Sequence, residues 1–377
     1  MQFLLPDFVK TVINTIENTG GEAYIVGGCV RDILLNKIPD DFDVTTSLSP
    51  EEIIPLFKKT VPTGIKHGTV TVIIDSNQIE VTTFRSDGEY SDSRHPSEVS
   101  FVKNLKEDLA RRDFTVNSLA YNEKVGIVDK FGGIDDLNNK VLRAVGEPTK
   151  RFNEDALRIM RLFRFSSQLN FNIDNATFDA AIKTSPLLSN ISRERIATEL
   201  FKAILSDYPQ RINPLIKSGA LEFCGIRKTA VSDNLAKLPK ERNLRFFAFL
   251  NENGGDISTV CQNLKTDKAL LKFCLAAKEI KPPFDTISVK TALSQYNEDT
   301  VKASIILNGG DPSVIENIKQ DNEPYKISHL AINGDDLKAA NIEEKKIGLI
   351  LNHLLQEVIK KPELNKKEIL LKISRNQ

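Results

Sequence analysis

Apolar residues near the start of this 377-residue chain recur at helical spacing. Phe8, Val9, Val12, Ile13 and Ile16 fall on one side of a helix with a period of about 3.6 residues. The same stretch has no basic leader and no unbroken apolar core, both of which a secretory signal peptide needs. The pattern therefore predicts an amphipathic first helix.

Short apolar and β-branched runs come next, and they predict the strands of a sheet. The runs stand at residues 23–26, 70–74, 79–84 and 125–128. The polar residues 75–78 join the second run to the third, which predicts a β-hairpin.

Two helix starts are visible between these strands. The residues from Val30 to Leu35 follow a pair of glycines and predict a helix that begins directly after the first strand. Ser49-Pro50-Glu51-Glu52 has a capping-box pattern with proline at the first helical position, so a helix is predicted there that continues through Phe57.

The pattern changes near Pro148. Long stretches with helical periodicity follow, and β-branched runs become rare. Breakers rich in proline and glycine interrupt them at residues 281–283, 308–312 and 322–324. The chain is therefore predicted to be an α+β protein, with a small α/β head followed by an all-α remainder.

Composition narrows the class of protein. The 51 basic and 51 acidic residues balance, so a polynucleotide partner would have to be held by local basic patches. The cysteines are scattered without metal-ligand spacing and are expected to be reduced and buried: Cys29, Cys224, Cys261 and Cys274. No run approaches the apolar length of a membrane span. We expect a cytoplasmic protein.

The first chemically informative segment joins a glycine turn to two aspartates. Gly27-Gly28 precede the predicted helix, where backbone N–H groups can meet an anion, and Arg31 follows. In an extended Asp41-Phe42-Asp43 both carboxylates point to one side of a sheet. Mg²⁺ commonly takes one or two carboxylates and leaves the rest of its shell to water and phosphates. Together they predict metal-assisted transfer from a nucleoside triphosphate. Each half alone is more often a tight connection or a solvated loop.

Arg111-Arg112-Asp113 and the nearby Asn117 form the second informative segment. Arginine donates in a planar fork suited to phosphate, and a carboxylate accepts from a sugar hydroxyl. The segment can thus serve a triphosphate and a ribose together. The alternative is a helix start with a solvated basic face.

The third informative segment, residues 151–165, is predicted to be a helix. Phe163 and Phe165 are assigned to its apolar packing side. Its charged residues step by three and curl over about half of the helix circumference. These residues are Asp155, Arg158, Arg161 and Arg164. The alternative is a run of solvated ion pairs, which is common and contributes little energy.

Asp155 and Arg158 together suggest base selection by protein. Cytosine and adenine both present an amino donor beside a ring-nitrogen acceptor. A carboxylate accepts from the amino group and a guanidinium donates to the ring nitrogen. Uracil and guanine reverse that order, so this pair would accept C and A and reject U and G.

Taken in order, these segments resemble the class II tRNA nucleotidyltransferases. These CCA-adding enzymes belong to the polymerase-β-like nucleotidyltransferase superfamily. The motifs that carry the resemblance are Gly27-Gly28-x-x-Arg31-Asp32 with Asp41-x-Asp43, then His67-Gly68-Thr69-Val70-Thr71-Val72, Glu80-Val81-Thr82-Thr83-Phe84-Arg85, Arg111-Arg112-Asp113-Phe114-Thr115 and Glu154-Asp155-x-x-Arg158. They cover residues 24–165, and a weaker resemblance returns in the tail at 332–337.

The resemblance implies a polymerase-β-like nucleotidyltransferase head at residues 1–147, followed by an all-α neck, body and tail. It implies a helical neck at 148–205 that carries the base-recognition helix, a helical body at 206–325 and a tRNA-binding helical tail at 326–377. An apolar helix is expected in the tail at 347–358. The tRNA would lie along the helical parts.

The resemblance also implies roles for individual residues. Asp41 and Asp43 would be the Mg²⁺ ligands, and Glu80 stands where a third catalytic carboxylate of the superfamily is expected. The contacts to the incoming ATP or CTP would come from Gly28, Arg31, Arg112, Asp155, Arg158, Arg161 and Arg164. Further candidates for phosphate and ribose contacts are Arg111, Asp113 and Asn117.

The implied activity is the template-independent addition of the 3′-terminal CCA to tRNA, with CTP and ATP as substrates. The primer 3′-hydroxyl would attack the α-phosphorus and release pyrophosphate, with two Mg²⁺ ions at the carboxylates. The polar segment Ser86 to Pro96 favours an enzyme that completes the terminal A. Alternatives within the family are an enzyme that adds only A and a poly(A) polymerase. A catalytically silent RNA-binding protein is the alternative from another class.

Overall fold

The computed structural model describes residues 3–87 and 99–375 of the chain. Backbone contacts divide the chain into two compact units. The first comprises Met1–Arg245, Phe249–Gly255 and Asn263–Lys265, and the second comprises Phe246–Ala248, Asp256–Gln262 and Thr266–Gln377. The four-part division expected from the resemblance stays a prediction.

The strands of the described residues all belong to the first unit. They are Ala23–Val26 (β1), Asp43–Thr46 (β2), Thr60–Gly64 (β3), Thr69–Ile74 (β4), Asn77–Thr83 (β5), Arg85–Asp87 (β6), Val99–Phe101 (β7), Leu119–Asn122 (β8), Gly126–Asp129 (β9), Val141–Leu142 (β10) and Asn172–Ile173 (β11). The strand runs expected at 23–26, 70–74, 79–84 and 125–128 correspond to β1, β4, β5 and β9.

The described residues form helices along the whole chain, most densely after residue 147. In chain order they are Asp7–Glu17 (α1), Gly28–Leu34 (α2), Pro50–Ile53 (α3), Leu105–Ala110 (α4), Gly133–Asn138 (α5), Pro148–Glu154 (α6), Leu157–Leu169 (α7), Asn175–Thr184 (α8), Arg193–Ile204 (α9), Asn213–Lys217 (α10), Asn234–Lys237 (α11), Arg242–Asn253 (α12), Ile257–Asn263 (α13), Lys268–Glu279 (α14), Thr286–Gln295 (α15), Glu298–Leu307 (α16), Ser313–Gln320 (α17), Gly334–Ala339 (α18), Glu344–Lys360 (α19) and Lys367–Ser374 (α20). The predicted α+β class is confirmed.

Seven strands form the main sheet in the order β3-β4-β5-β2-β1-β8-β9. Strands β2 and β5 run parallel, and the other neighbouring pairs of this sheet are antiparallel. In the parallel pair, Asp43 lies opposite Glu80. Residues opposite each other in a ladder project from the same face of the sheet, so this register gathers acidic side chains at the start of β2.

Both faces of the sheet are covered, and alternate residues of β1 show how. Ala23 and Ile25 pack in the core cluster that α1 covers with its predicted apolar side. Tyr24 and Val26 pack in a second cluster with Leu109 of α4 on the opposite face. This alternation follows from the two-residue period of a strand. Each fully buried aliphatic side chain contributes about 1.5–3 kcal/mol to folding.

The predicted hairpin is confirmed, with a tighter turn than the sequence indicated. Asp75 and Ser76 both have positive φ, 46° and 70°, as a two-residue connection between twisted strands requires. The predicted capping box is also present, since the backbone N–H of Ser49 donates to Oε2 of Glu52 at 2.8 Å. The helix it opens is shorter than expected.

Helix α3 ends at Ile53 and a short 3₁₀ turn takes over from Ile54 to Leu56, so the prediction that the helix continues through Phe57 was wrong. Pro55 explains the difference, because its nitrogen has no hydrogen to donate to the preceding turn.

The predicted helix over 151–165 is interrupted, which corrects the expectation for Asp155. Helix α6 ends at Glu154, and Asp155 has an extended backbone with φ −138° and ψ 102°. Its Oδ1 accepts a hydrogen bond from the backbone N–H of Leu157 at 3.0 Å, at the start of α7. Short polar side chains compete with helical hydrogen bonding in this way. Only Arg158, Arg161 and Arg164 of the predicted row stand on one helix.

The second unit is helical in its described residues. One core cluster joins α15, α16 and α17 through Val289, Val301 and Ile315, and another joins α18 and α19 through Leu337 and Leu354. The apolar helix predicted at 347–358 lies within α19, so that prediction is confirmed.

The four cysteines are buried, as expected. No helix within the described ranges combines the length and apolar character needed to cross a bilayer. Residues 88–98, which hold most of the segment linked to completing the terminal A, lie outside the described residues.

Candidate active site

A polar cleft of about 470 Å³ opens in the first unit beside the start of β2. Seven arginines and three aspartates line it, so positive charge is in surplus. Its lining comes from Gly27, Gly28, Arg31, Asp43, Arg111, Arg112, Asp113, Asn117, Asp155, Leu157, Arg158, Arg161, Arg164, Phe165 and Arg195. The residues reach it from α2 and the turn before it, β2, the segment after α4, the junction of α6 and α7, helix α7 and the start of α9.

The cleft brings together most of the candidate residues. All seven residues expected to contact the nucleotide line it, together with Arg111, Asp113, Asn117 and Asp43. Asp41 and Glu80 are not among its lining residues, but both charges act on Asp43. Sequences separated by more than a hundred residues therefore converge on one cavity, as the motifs predicted.

The glycine turn is required by close packing. Gly27 has φ +81°, and a Cβ built there would lie 2.9 Å from Nη1 of Arg112 and 3.7 Å from the backbone oxygen of Asn117. Only glycine tolerates this backbone conformation without strain and leaves that space open. The turn thus lets the guanidinium of Arg112 lie directly against the backbone.

Arg31 is held in a fixed orientation on the cleft wall. Its Nε and Nη2 donate to the two carboxylate oxygens of Asp32 at 2.8 and 2.9 Å. Its Nη1 donates to Oδ1 of Asn117 at 2.7 Å, and Nδ2 of Asn117 donates to Oδ1 of Asp113 at 3.2 Å. A guanidinium held bidentately presents its remaining edge in one direction.

Asp113 anchors Arg161 in the same cleft. Arg161 donates through Nε at 2.7 Å, and its Nη2 lies 2.6 Å from the same oxygen, Oδ2. Burial alone would raise the pKa of Asp113, but the Arg161 charge, its hydrogen bond and that from Asn117 lower the pKa to about 2. Asp113 is thus an ionised anchor for an arginine, which differs from the ribose acceptor considered from the sequence.

Asp108 is a site residue that the sequence analysis missed. Its fully buried carboxylate accepts from Nε of Arg111 at 3.0 Å and from Nη2 of Arg112 at 3.4 Å. Burial would raise its pKa, but the charges of the two arginines lower it. The carboxylate of Asp108 therefore fixes both Arg111 and Arg112. An aspartate in the first turn of a short helix carries no distinctive sequence signal.

Asp155 and Arg158 both line the cleft, but each has another partner. Nη1 of Arg158 donates to Oε2 of Glu154 at 2.8 Å, and its Nη2 donates to the backbone oxygen of Arg111 at 2.9 Å. Oδ2 of Asp155 accepts from Nη2 of Arg195 at 3.1 Å. Arg158 is only 8% exposed. Glu154 and Arg195 thus orient the two side chains, a role that the sequence analysis assigned to neither residue.

Arg164 and Phe165 complete the wall formed by α7. Nε of Arg164 lies 2.7 Å from Oε2 of Glu199, and its Cζ lies 3.8 Å from the centre of the Phe165 ring. Burial lowers the pKa of Arg164 to about 10. The assignment of Phe165 to the apolar packing side was incomplete, because its ring also lines the cleft.

The carboxylates at and near the start of β2 offer the oxygen donors that a divalent cation prefers. Desolvation inside the cleft and the charges of Asp41 and Glu80 raise the pKa of Asp43 to about 6, although Arg112 acts in the opposite direction. Mg²⁺ needs few protein carboxylates when phosphates and water complete its shell. A cation here would offset the mutual repulsion of these groups. In the part of the chain that the structure describes, no cluster of three or more acidic, histidine or cysteine side chains is arranged to hold a metal.

Comparisons with known proteins agree with this geometry. A family model described as the poly A polymerase head domain matches residues 23–143, and one described as a probable RNA and SrmB-binding site of polymerase A matches residues 170–224. The chain is 37% identical to the CCA-adding enzyme of Ligilactobacillus salivarius (strain UCC118), across 97% of this chain and 96% of that protein. This chain belongs to the CCA-adding enzyme family.

Other members of the family show the same relationship. Over 214 residues, 56% of this chain, it is 51% identical to the CCA-adding enzyme of Enterococcus faecalis (strain ATCC 700802 / V583), a match that spans 53% of that relative. The crystal structure of the Bacillus stearothermophilus CCA-adding enzyme in complex with CTP aligns with a TM-score of 0.83 at 29% identity, and covers 99% of this chain and 98% of that one. The predicted family, fold and nucleotidyltransferase activity are confirmed at the level of the family.

Proposed function

We propose that this chain adds the 3′-terminal CCA to tRNA, using CTP and ATP and releasing pyrophosphate. The observation that carries the proposal is the cleft itself, in which seven arginines converge beside Asp43. A nucleoside triphosphate is a polyanion whose oxygens match the planar donors of arginine. Membership of the CCA-adding enzyme family supports the choice of substrates and of tRNA as acceptor.

The arginines that line the cleft would hold the triphosphate. Arg31 and Arg161 each donate to a carboxylate, so their forks are already oriented, and Nε of Arg164 lies 2.7 Å from Oε2 of Glu199. Nε of Arg112 and Nη1 of Arg195 are buried donors that meet no acceptor among the described residues. A buried donor without an acceptor costs about 1–3 kcal/mol, so an oxygen-rich ligand would stabilise this wall. Gly28 would border the ligand through its backbone.

Asp41 and Asp43 would hold Mg²⁺, with Glu80 as a third carboxylate opposite Asp43 in the sheet. Bound there, the metal ions would stabilise the attacking and leaving oxygens of the phosphoryl transfer. The side chains themselves contribute alignment, because most of the acceleration of phosphoryl transfer comes from positioning and charge stabilisation.

Asp155 and Arg158 would read the base. Arg195 fixes the carboxylate of Asp155, and Glu154 fixes the guanidinium of Arg158. A side chain held by a charged neighbour presents its remaining hydrogen-bonding edge without first losing conformational entropy. Cytosine and adenine offer the complementary donor and acceptor, whereas uracil and guanine do not.

The helical parts after residue 147 would bind tRNA as neck, body and tail, with the boundaries 148–205, 206–325 and 326–377. The match of residues 170–224 to a family model described as a probable RNA and SrmB-binding site of polymerase A supports this assignment for the neck and the start of the body. The segment Ser86 to Pro96 would take part in adding the terminal A. A cytoplasmic location belongs to the same proposal.

Primer extension tests the proposal directly. Transcripts of one tRNA that end before the CCA, after the first C and after CC are incubated with Mg²⁺ and a single labelled nucleotide. We expect incorporation of C, C and A in turn, and then no further addition. Transcripts that lack the tRNA fold serve as the control and should be extended poorly.

Other outcomes would select the alternatives. Addition of A only to the transcript that ends in CC would identify an A-adding enzyme, and long A tracts would identify a poly(A) polymerase. The poly(A) polymerase outcome is included because the family model that matches residues 23–143 is described as a poly A polymerase head domain. Binding of tRNA without any incorporation would leave a catalytically silent RNA-binding protein.

A further inference from the structure

Three guanidinium groups surround one aromatic ring at the wall of the cleft. The Cζ atoms of Arg31, Arg161 and Arg164 lie 5.2, 5.4 and 3.8 Å from the centre of the Phe165 ring. Phe165 is 6% exposed and meets the edge of Phe114 with a centroid distance of 5.9 Å. Phe114 thus packs against the ring, and the three guanidinium groups lie around it at the cleft.

Each of the three arginines also has its own carboxylate. Arg31 is held by Asp32 at 2.8 Å, and Arg161 by Asp113 at 2.7 Å. Arg164 is held by Glu199 at 2.7 Å. These carboxylates come from different parts of the chain, whereas the ring is common to all three cations. Each arginine therefore has its own carboxylate partner, and all three share contact with the Phe165 ring.

The three guanidinium groups carry like charges and repel one another, so their close approach needs a stabilising contact. Burial, together with the positive charges of Arg161 and Arg31, lowers the pKa of Arg164 to about 10. The face of an aromatic ring carries partial negative charge and attracts a guanidinium by about 0.5–2 kcal/mol. A leucine of similar bulk would fill the space but would not attract the cations.

We propose that Phe165 is a positioning residue for triphosphate binding, because its ring holds Arg31, Arg161 and Arg164 together at the spacing that the triphosphate needs. The inference deepens the proposed function and rests on it. Phe165 itself forms no bond to the substrate. It acts through the guanidinium groups that surround it.

Binding of inorganic tripolyphosphate to the full chain tests the proposal. The probe carries the triphosphate charge but no base or sugar, so it reports on the arginines alone. In calorimetry we expect Phe165→Leu to raise Kd about tenfold, because two or three cation–π contacts are lost. Phe165→Tyr keeps the ring and should stay within about twofold of the original protein.

A matched control comes from the same helix. Phe163 is fully buried and packs edge-on against Phe178 with a centroid distance of 6.3 Å. Phe163→Leu removes a ring of the same size from α7, so its loss of folding stability should be similar while Kd for tripolyphosphate stays unchanged. Steady-state kinetics should show the same separation, with a higher KM for CTP in Phe165→Leu and a smaller change in kcat.

Three results would overturn the proposal. They are unchanged tripolyphosphate binding in Phe165→Leu, equal weakening in Phe163→Leu, and weakening in Phe165→Tyr as large as in Phe165→Leu. If Phe165→Leu does not fold, Phe165→Met provides the same ring deletion with a more adaptable side chain. Failure of the proposed function is distinguishable, because the original protein would then bind tripolyphosphate but would not extend tRNA with C or A.

Discussion

Nη1 of Arg158 donates to Oε2 of Glu154 across 2.8 Å. The carboxylate next in sequence, Asp155, accepts instead from Arg195 at 3.1 Å. The two side chains proposed to read the base are therefore oriented by different partners, one from the end of α6 and one from α9. If these side chains read the base, its selection would depend on residues that do not touch it.

Replacement of Glu154 by glutamine should loosen Arg158. The loss of a hydrogen bond between charged groups costs about 1.5–3 kcal/mol. We expect the KM for CTP and ATP to rise about tenfold or more, and the discrimination against UTP to fall. Single-nucleotide incorporation assays measure both. Glu194→Gln is the matched control, because Glu194 is an exposed glutamate that pairs with Lys265. Equal kinetics for the two variants would contradict the role of Glu154.

Asp43→Asn and Asp41→Asn should abolish turnover. Loss of one electrostatic group at a reacting centre lowers kcat by about 10²–10³. A metal ligand is expected at the upper end of that range or beyond. Single-turnover addition of C to tRNA is the measurement. Asp40→Asn is the control for charge, because Asp40 is an exposed neighbour and, unlike Asp41, is not among the charges that act on Asp43. Retention of more than about a tenth of the activity in Asp43→Asn would argue against a metal role.

Chelation should stop incorporation without unfolding the protein. The proposed metal carboxylates lie outside the apolar core cluster of the sheet, so we expect the fold not to depend on the ion. We expect EDTA to reduce addition of C to background and added Mg²⁺ to restore it. Circular dichroism should stay constant throughout. A parallel loss of helical signal would show instead that the ion supports the fold.

The ion pair between Asp113 and Arg161 should make folding stability depend on acid pH. The folded-state pKa of Asp113 is about 2, below the unfolded value of about 3.9. Its contribution is therefore fully present above the unfolded pKa and is lost as the pH falls toward 2. It amounts to roughly 2–3 kcal/mol.

Urea unfolding at two pH values tests this prediction. Asp113→Asn should lower the free energy of unfolding at pH 7, and the difference from the original protein should shrink at about pH 3. Asp207→Asn removes an exposed carboxylate that pairs with Lys240 and should have little effect at either pH. A difference for Asp113→Asn that is independent of pH would contradict the assignment.

Gly27→Ala should damage substrate binding beyond its effect on stability. The added Cβ would lie 2.9 Å from Nη1 of Arg112 at a φ of +81°. Gly126 has the same φ, but a Cβ there meets nothing within 4 Å. Both alanine variants should lose about 1–2 kcal/mol of stability from backbone strain. Only Gly27→Ala should also raise the KM for CTP. Similar KM values in both variants would show that the contact with Arg112 is unimportant.

Local patterns anticipated the elements of the fold that local chemistry controls. The hairpin of β4 and β5, the amphipathic α1 and the capping box at Ser49 follow from periodicity and from short-range hydrogen bonds. The end of α3 was misjudged, although Pro55 was visible in the sequence. The break at Asp155 was missed because a period of three in the charges was taken as one continuous helix.

The residues that line the cleft were largely anticipated, but their partners were not. Arg31, Arg112 and Arg161 stand in short motifs with recognisable chemistry. The carboxylates that hold these arginines belong to acidic residues whose role as partners can be seen only in the folded structure. Glu199 lies 35 positions beyond Arg164, and no local pattern links them. Phe165 was assigned to packing because helical periodicity describes sides of a helix and not what faces them.

The carboxylates that grip the cleft arginines have a consequence for repeated turnover. The cleft arginines are brought together when the polypeptide folds, and their carboxylate partners would keep them together after pyrophosphate leaves. Each successive nucleotide would thus meet a site that is already assembled, and little reorganisation would separate one addition from the next. An enzyme built in this way can add several units in succession with one unchanged set of cations.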